Sequence, residues 1–149
     1  MSIKERISAE LKEAMKSRDQ LKLDTLRSVL SAFTYKRSET GKDELTTEEE
    51  LAVLQKLVKQ RNDSISEFSK AGREEMARKE AAEKEILMHY LPAQKSEAEV
   101  RAMVRTIIDA IAPAERNQGA VMKAVMPKMK GVADGNLVKQ IVTEELKGN

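Results

Sequence analysis

The sequence of 149 residues has no cysteine and no tryptophan, a single histidine, three prolines and four aromatic side chains. Without cysteine, thiol catalysis, disulfides and Cys-ligated zinc or iron–sulfur sites are excluded. His89 alone cannot supply a zinc site built on two or three histidines, and it leaves His-centred triads without support. Phe33, Tyr35, Phe68 and Tyr90 are too few for platforms that stack successive bases of single-stranded nucleic acid. No apolar run approaches the roughly 20 residues of a membrane span. The opening Met1-Ser2-Ile3-Lys4-Glu5 lacks the apolar stretch of a secretory signal. These absences predict a soluble, cytoplasmic protein without a membrane partner.

What the chain has is charge, closely matched overall: 27 Lys and Arg against 25 Asp and Glu, a net charge of +2. The distribution is uneven. Residues 1–91 are neutral, whereas within 116–141 Arg116, Lys123, Lys128, Lys130 and Lys139 face Asp134 alone. The surplus of positive charge lies in this late segment.

Between the few Gly and Pro residues the sequence is rich in Ala, Leu, Glu, Lys and Arg, with apolar residues at helical spacing and no sustained alternation. The expected fold is all-α. Hydroxyl-x-x-Glu patterns at Ser2/Glu5, Thr47/Glu50 and Ser96/Glu99 are capping boxes, which satisfy orphan amides at helix starts. They predict helices over about 3–17, 20–38 (capped by Asp19), 48–70 and 73–90, the last stopping before Pro92. Met15 is expected on the apolar face of the first helix. A second set follows over about 97–111, 118–127 and 135–146. Two bundles are thus expected: a larger one of about four helices over 1–91 and a small three-helix bundle over 96–149, hinged near Leu91–Lys95. The smaller one is expected to be marginally stable alone, because short chains bury little surface.

Four features bear on chemistry. Glu85 and His89 share a helix face, either as a metal or acid–base pair or as a surface pair. Arg61 falls on the apolar seam Leu51, Leu54, Val58, Ile65, Phe68 of the third helix, where a charge must be paired or reach water. It forms an internal salt bridge, snorkels past the seam to water, or lines a cleft with Arg27 and Asp63. Met122, Met126 and Met129 recur at helical spacing, as core packing or as an adaptable partner surface. The turn 126–136 has breakers at Pro127 and Gly131, flanking lysines and a fresh helix near Gly135. It reads either as a phosphate site or as a capped turn with solvated lysines. No Gly-rich loop followed by Lys-Ser or Lys-Thr supports nucleotide hydrolysis.

Blocks along the whole chain resemble the YqeY family: Thr25-Leu26-Arg27-Ser28-Val29-Leu30-Ser31-Ala32, Lys59-Gln60-Arg61-Asn62-Asp63-Ser64 through Phe68, Tyr90-Leu91-Pro92, Val125 through Gly131, and Ala133-Asp134-Gly135. Members of that family are similar to the C-terminal tail domain of the B subunit of glutamyl/aspartyl-tRNA amidotransferase. The resemblance implies an α-helical fold with a larger N-terminal and a small C-terminal bundle, and an amidotransferase-like relation to tRNA, a carbon–nitrogen ligase system. Two positions depart from the family pattern. Ala120 and Val132 stand where Lys is common, removing two potential phosphate contacts.

The resulting expectation is a tRNA-binding or tRNA-associated accessory module. Its nucleic-acid contacts would come from Lys123, Lys128, Lys130 and Lys139 with backbone near Gly131 and Gly135. The alternative is a helical module docking on an amidotransferase-type or translation-related protein. No cofactor, metal ligand or catalytic residue is expected. Amide transfer needs an activated nucleophile and an activated carboxylate, and the apparatus for neither is visible.

Overall fold

A computed structural model describes residues 1–148. It is all-α, with seven α-helices and, among the described residues, no strand: α1 Ile3–Ser17, α2 Gln20–Thr40, α3 Thr47–Lys70, α4 Glu74–Met88, α5 Glu97–Asp109, α6 Gln118–Met129 and α7 Gly135–Lys147. A 3₁₀ turn, Pro113–Glu115, lies between α5 and α6. The chain divides into two compact units, Met1–Leu91 with α1 to α4 and Pro92–Asn149 with α5 to α7.

In the first unit Ser2 and Glu5 form the expected box, and the Asp19 carboxylate accepts the Lys22 amide. The box at α3 is set one residue earlier than the sequence reading. Thr46 accepts the Glu49 amide at 3.1 Å and Glu49 accepts the Thr46 amide at 3.0 Å. The physical reason is the repeat Thr46-Thr47-Glu48-Glu49-Glu50, which permits either register. Glu50 is thereby released to another task. Only 3 % exposed, it accepts the Lys4 amide at 3.0 Å and so caps α1 from α3. Burial raises its pKa, partly offset by the Lys4 and Ile3 amides. The core holds Ile7, Leu26, Val29, Phe33, Leu54 and Leu87. Met15, expected on the buried face of α1, is 53 % exposed.

The second unit is shorter, yet its interior is fuller than its length suggests. Val100, Val104 and Ile108 on α5, Val121, Val125 and Met129 on α6, and Val138, Ile141 and Val142 on α7 are all fully buried. Met122 and Met126 pack half-buried against the same core. Helix α6 runs through Pro127 to Met129 rather than breaking at the proline. Gly131, at φ 77°, is what turns the chain. Gln94 Nε2 donates to the Gly131 carbonyl at 2.7 Å and the Lys95 amide to that of Val132 at 2.8 Å. Part of the expected hinge is therefore bonded into this unit.

Candidate functional site

Helices α6 and α7 are antiparallel, and two contacts set their register. A Cβ at Gly135 would lie 3.8 Å from Met126 Cε, and Thr143 Oγ1 donates to Gln118 Oε1 at 3.2 Å. Lys123, Lys128, Lys130 and Lys139 are all exposed. Helical spacing explains this: Val121, Val125 and Met129 take the core-facing stripe, and Lys123 and Lys128 lie off it.

The turn itself differs from the open-amide arrangement expected. Gly131 is buried, with its carbonyl occupied by Gln94. Asp134 Oδ1 accepts the Asn136 amide at 3.2 Å and sets a negative charge at the start of α7, where an incoming anion would meet it. Arg116 leaves the basic set as well. Its guanidinium donates to the carbonyls of Ile111 at 2.8 Å and Asp109 at 3.4 Å, finishing α5 with positive charge.

Three acidic residues of this unit, Glu97, Glu144 and Glu145, are held elsewhere. Arg101 lies 2.9 Å from Glu145, 2.7 Å from Glu144 and 3.2 Å from Glu97, and Arg105 lies 2.8 Å from Glu145. These bonds tie α5 to α7. The Arg105 bond, then that of Arg101, holds the Glu145 carboxyl below its usual range, and the Arg101 bond does the same for Glu144. The network is absent from the sequence reading. Only its Glu97–Arg101 spacing is local, while Arg101 and Glu145 are 44 residues apart. Beside Lys128, Met103 and Ile107 of α5 line a shallow cleft of about 220 Å³.

In the first unit, Arg61 Nε lies 2.9 Å from Glu83 Oε2 and 3.4 Å from Glu80 Oε2, with 18 % of its side chain exposed. Burial, and then Glu83 beside it, raise the Glu80 pKa. Arg27 and Asp63 are exposed and form no ion pair among the described residues. No ion pair gathers these three residues into one cluster. His89 reaches across to Glu10 at 3.7 Å rather than along its own helix to Glu85. The Tyr90 hydroxyl donates to Glu10, and Arg6 sits 5.3 Å from the centre of the Tyr90 ring. Among the described residues no three His, Asp or Glu side chains could together hold a metal ion.

Residues 4–146 match the family described as Yqey-like protein. The chain belongs to the YqeY family. It is 32 % identical over 143 residues to a protein of Pyrenophora tritici-repentis, covering 93 % of this chain and 78 % of the relative. A relative from Kluyveromyces lactis is 38 % identical, with 65 % of this chain and 55 % of the relative covered. One from Saccharomyces cerevisiae is 32 % identical, with 80 % and 66 % covered. All three are named Altered inheritance of mitochondria protein 41, mitochondrial.

Those names overturn the cytoplasmic placement. The physical reason is that a missing apolar secretory stretch excludes one address and specifies none, and mitochondrial addresses are written differently. Among the described residues of this YqeY member, no helix is long and apolar enough to cross a membrane.

Proposed function

We propose that the protein is an RNA-associated accessory module that holds tRNA phosphates through Lys123, Lys128, Lys130 and Lys139 of the second unit, without a complete active site of its own. The observation that carries the reading is the separation of charge in that unit. Three of its carboxylates, Glu97, Glu144 and Glu145, are engaged by Arg101 and Arg105, whereas the four lysines are exposed around α6, α7 and their turn. The family's resemblance to the amidotransferase tail supports tRNA as the polyanion. With Asp134 at the start of α7, lysine side chains rather than open amides make the contacts. Lysines read phosphates and not base edges, so binding is weak and indifferent to sequence.

The test is retardation of bulk tRNA by the full chain at two salt concentrations. Four phosphate contacts predict a slope of log affinity against log salt of roughly −3 to −4. The Lys128→Ala/Lys130→Ala variant should flatten it by about two units without moving the melting temperature much, because exposed lysines contribute little to stability. Equal retention by that variant, or none by the parent at low salt, would overturn the RNA reading. The half-buried Met103 and Ile107 beside Lys128 then favour docking on an amidotransferase-type or translation-related protein.

A further inference from the structure

Tyr35 is the one aromatic side chain that the described fold leaves in water. Phe33 and Tyr90 are 1 % and 3 % exposed and Phe68 is half-buried, whereas Tyr35 is 68 % exposed. It stands on α2 at the rim of a cleft of about 420 Å³ between α2 and α3, within the roughly 300–1,000 Å³ usual for small-ligand sites. The cleft exists because facing positions are small. Ala32 on α2 and Ala52 on α3 leave room that larger side chains would fill, and Leu57 lines its apolar interior.

Its walls carry two ammonium groups, Lys36 and Lys56, and one carboxylate, Glu39. Lys36 is 3.6 Å from Glu39, at half exposure, and Lys56 forms no ion pair among the described residues. The Gln60 side chain, at one end, makes no hydrogen bond among them. Its carbonyl oxygen and its amide hydrogens are therefore both available to a ligand. An exposed aromatic face, a narrow apolar slot, two ammonium groups and an uncommitted amide together suit a flat heterocycle joined to an anion.

We propose that the cleft between α2 and α3 binds one unpaired nucleotide, with its base against Tyr35, its phosphate between Lys36 and Lys56, and Gln60 at the base edge. Stacking on a single aromatic is tolerant of base identity and is the largest contact such a site offers. Half-buried Lys36 and exposed Lys56 add a phosphate contribution that falls with salt. The site holds one base and is no platform for a strand. It uses first-unit residues only, so it stands or falls separately from the lysines of α6 and α7. The nucleotide is either free or the unpaired end of an RNA, and the chemistry at the cleft is the same.

The test is titration of the full chain into 2-aminopurine ribonucleoside 5′-monophosphate, whose emission falls on stacking. Competitors are AMP, adenosine, inorganic phosphate and a tetraribonucleotide ending in adenosine. Saturable quenching is expected, with AMP competing on the order of tenfold better than adenosine and phosphate alone competing negligibly. Tyr35→Phe should stay within about twofold of the parent, and Tyr35→Leu should weaken binding on the order of tenfold. Lys36→Ala/Lys56→Ala should bring AMP down to adenosine, while Lys128→Ala/Lys130→Ala should change nothing. Tighter competition by the tetranucleotide than by AMP assigns an RNA end, and the reverse a free nucleotide; either supports the site. Absent quenching, an unchanged Tyr35→Leu, equal competition by phosphate, or displacement by an amphipathic peptide and not by AMP would overturn it.

Discussion

The two units of this chain solve the problem of packing helices in different ways. The second buries an interior of Val, Ile and Met from three short helices and joins α5 to α7 by a network of ion pairs around Arg101 and Arg105. The first has longer helices and sets polar groups between them: Glu50 of α3 on the Lys4 amide, Arg61 between Glu80 and Glu83, and Tyr90 on Glu10. It also leaves open clefts of about 360 Å³ and about 420 Å³. An apolar interface rewards any register that buries its stripe. A polar pair across it is satisfied at one register only. On this view the first unit spreads its polar pairs among long helices, whereas the second sets an apolar core inside and joins its short helices by polar pairs outside it, Arg101 and Arg105 on Glu145 and Thr143 on Gln118.

The sharpest way to break that contrast is to cut a hole in the second unit. Ile108 is fully buried. Ile108→Ala should cost about 3–4 kcal/mol through lost transfer energy and the cavity left behind. Amide hydrogen exchange of the full chain should show protection falling across α5 to α7, with α1 to α4 nearly unchanged. Equal loss in both would mean one cooperative body and would end the proposal that the units are separate domains.

A smaller effect is expected at the polar interface of the first. Arg61→Ala leaves Glu80 and Glu83 facing each other in a partly buried site, and should cost about 2 kcal/mol, discounted from a fully buried pair because each side chain keeps some exposure. Adding Glu80→Gln and Glu83→Gln should recover most of that loss, since amides carry no uncompensated charge. If the triple variant stays as unstable as Arg61→Ala in thermal melts, the guanidinium acts through its packed stem and not through its charge.

How much of this was legible beforehand follows from how local each signal is. Helix starts at Ser2, Asp19 and Ser96 depend on three neighbouring residues, and they fell where the pattern said. Exposure of Lys123 and Lys128 followed from spacing against Val121, Val125 and Met129. Pro127 misled because a proline removes one hydrogen bond near a helix end without having to end the helix. Arg116 was counted with the basic patch although its partners are the last carbonyls of α5. The α5–α7 ion network and the Tyr90–Glu10 bond, 80 residues apart in sequence, leave no local trace. Neither does the cleft beside Tyr35, made by alanines on two helices.

The cap of α3 gives a finer test of local against tertiary order. Thr46→Ala should cost about 1 kcal/mol, and Thr47→Ala only a few tenths, because Thr46 holds the Glu49 amide. Chemical denaturation of the two single variants decides it. The reverse order would restore the Thr47/Glu50 box and take Glu50 away from α1.

The smallest expected effect is a pH dependence in which adjacent carboxylates have opposite signs. The Thr46 amide, with Lys42 adding to it, holds Glu49 down at about 2. Burial raises Glu50, against the pull of the Lys4 and Ile3 amides. A lowered carboxyl adds stability above its ordinary value of 4.5 and loses it as pH falls toward about 2. A raised one does the reverse: ionised Glu50 costs stability above its folded pKa, and that cost is relieved as pH falls toward 4.5. Glu50→Gln, which keeps a carbonyl for the Lys4 amide, should therefore raise the melting temperature by a few degrees at pH 7 and by nothing near pH 4. Glu49→Gln should lower it slightly at pH 7, with the difference gone near pH 2. Glu144 and Glu145, both lowered by their arginines, follow the sign of Glu49. On acidification below 4.5, hydrogen exchange should quicken in α5 to α7 without the earlier gain that Glu50 and Glu80 give the first unit. A Glu50→Gln variant less stable than the parent at pH 7 would show that the ionised carboxylate is the better cap for α1, and that burial costs less there than the hydrogen bond supplies.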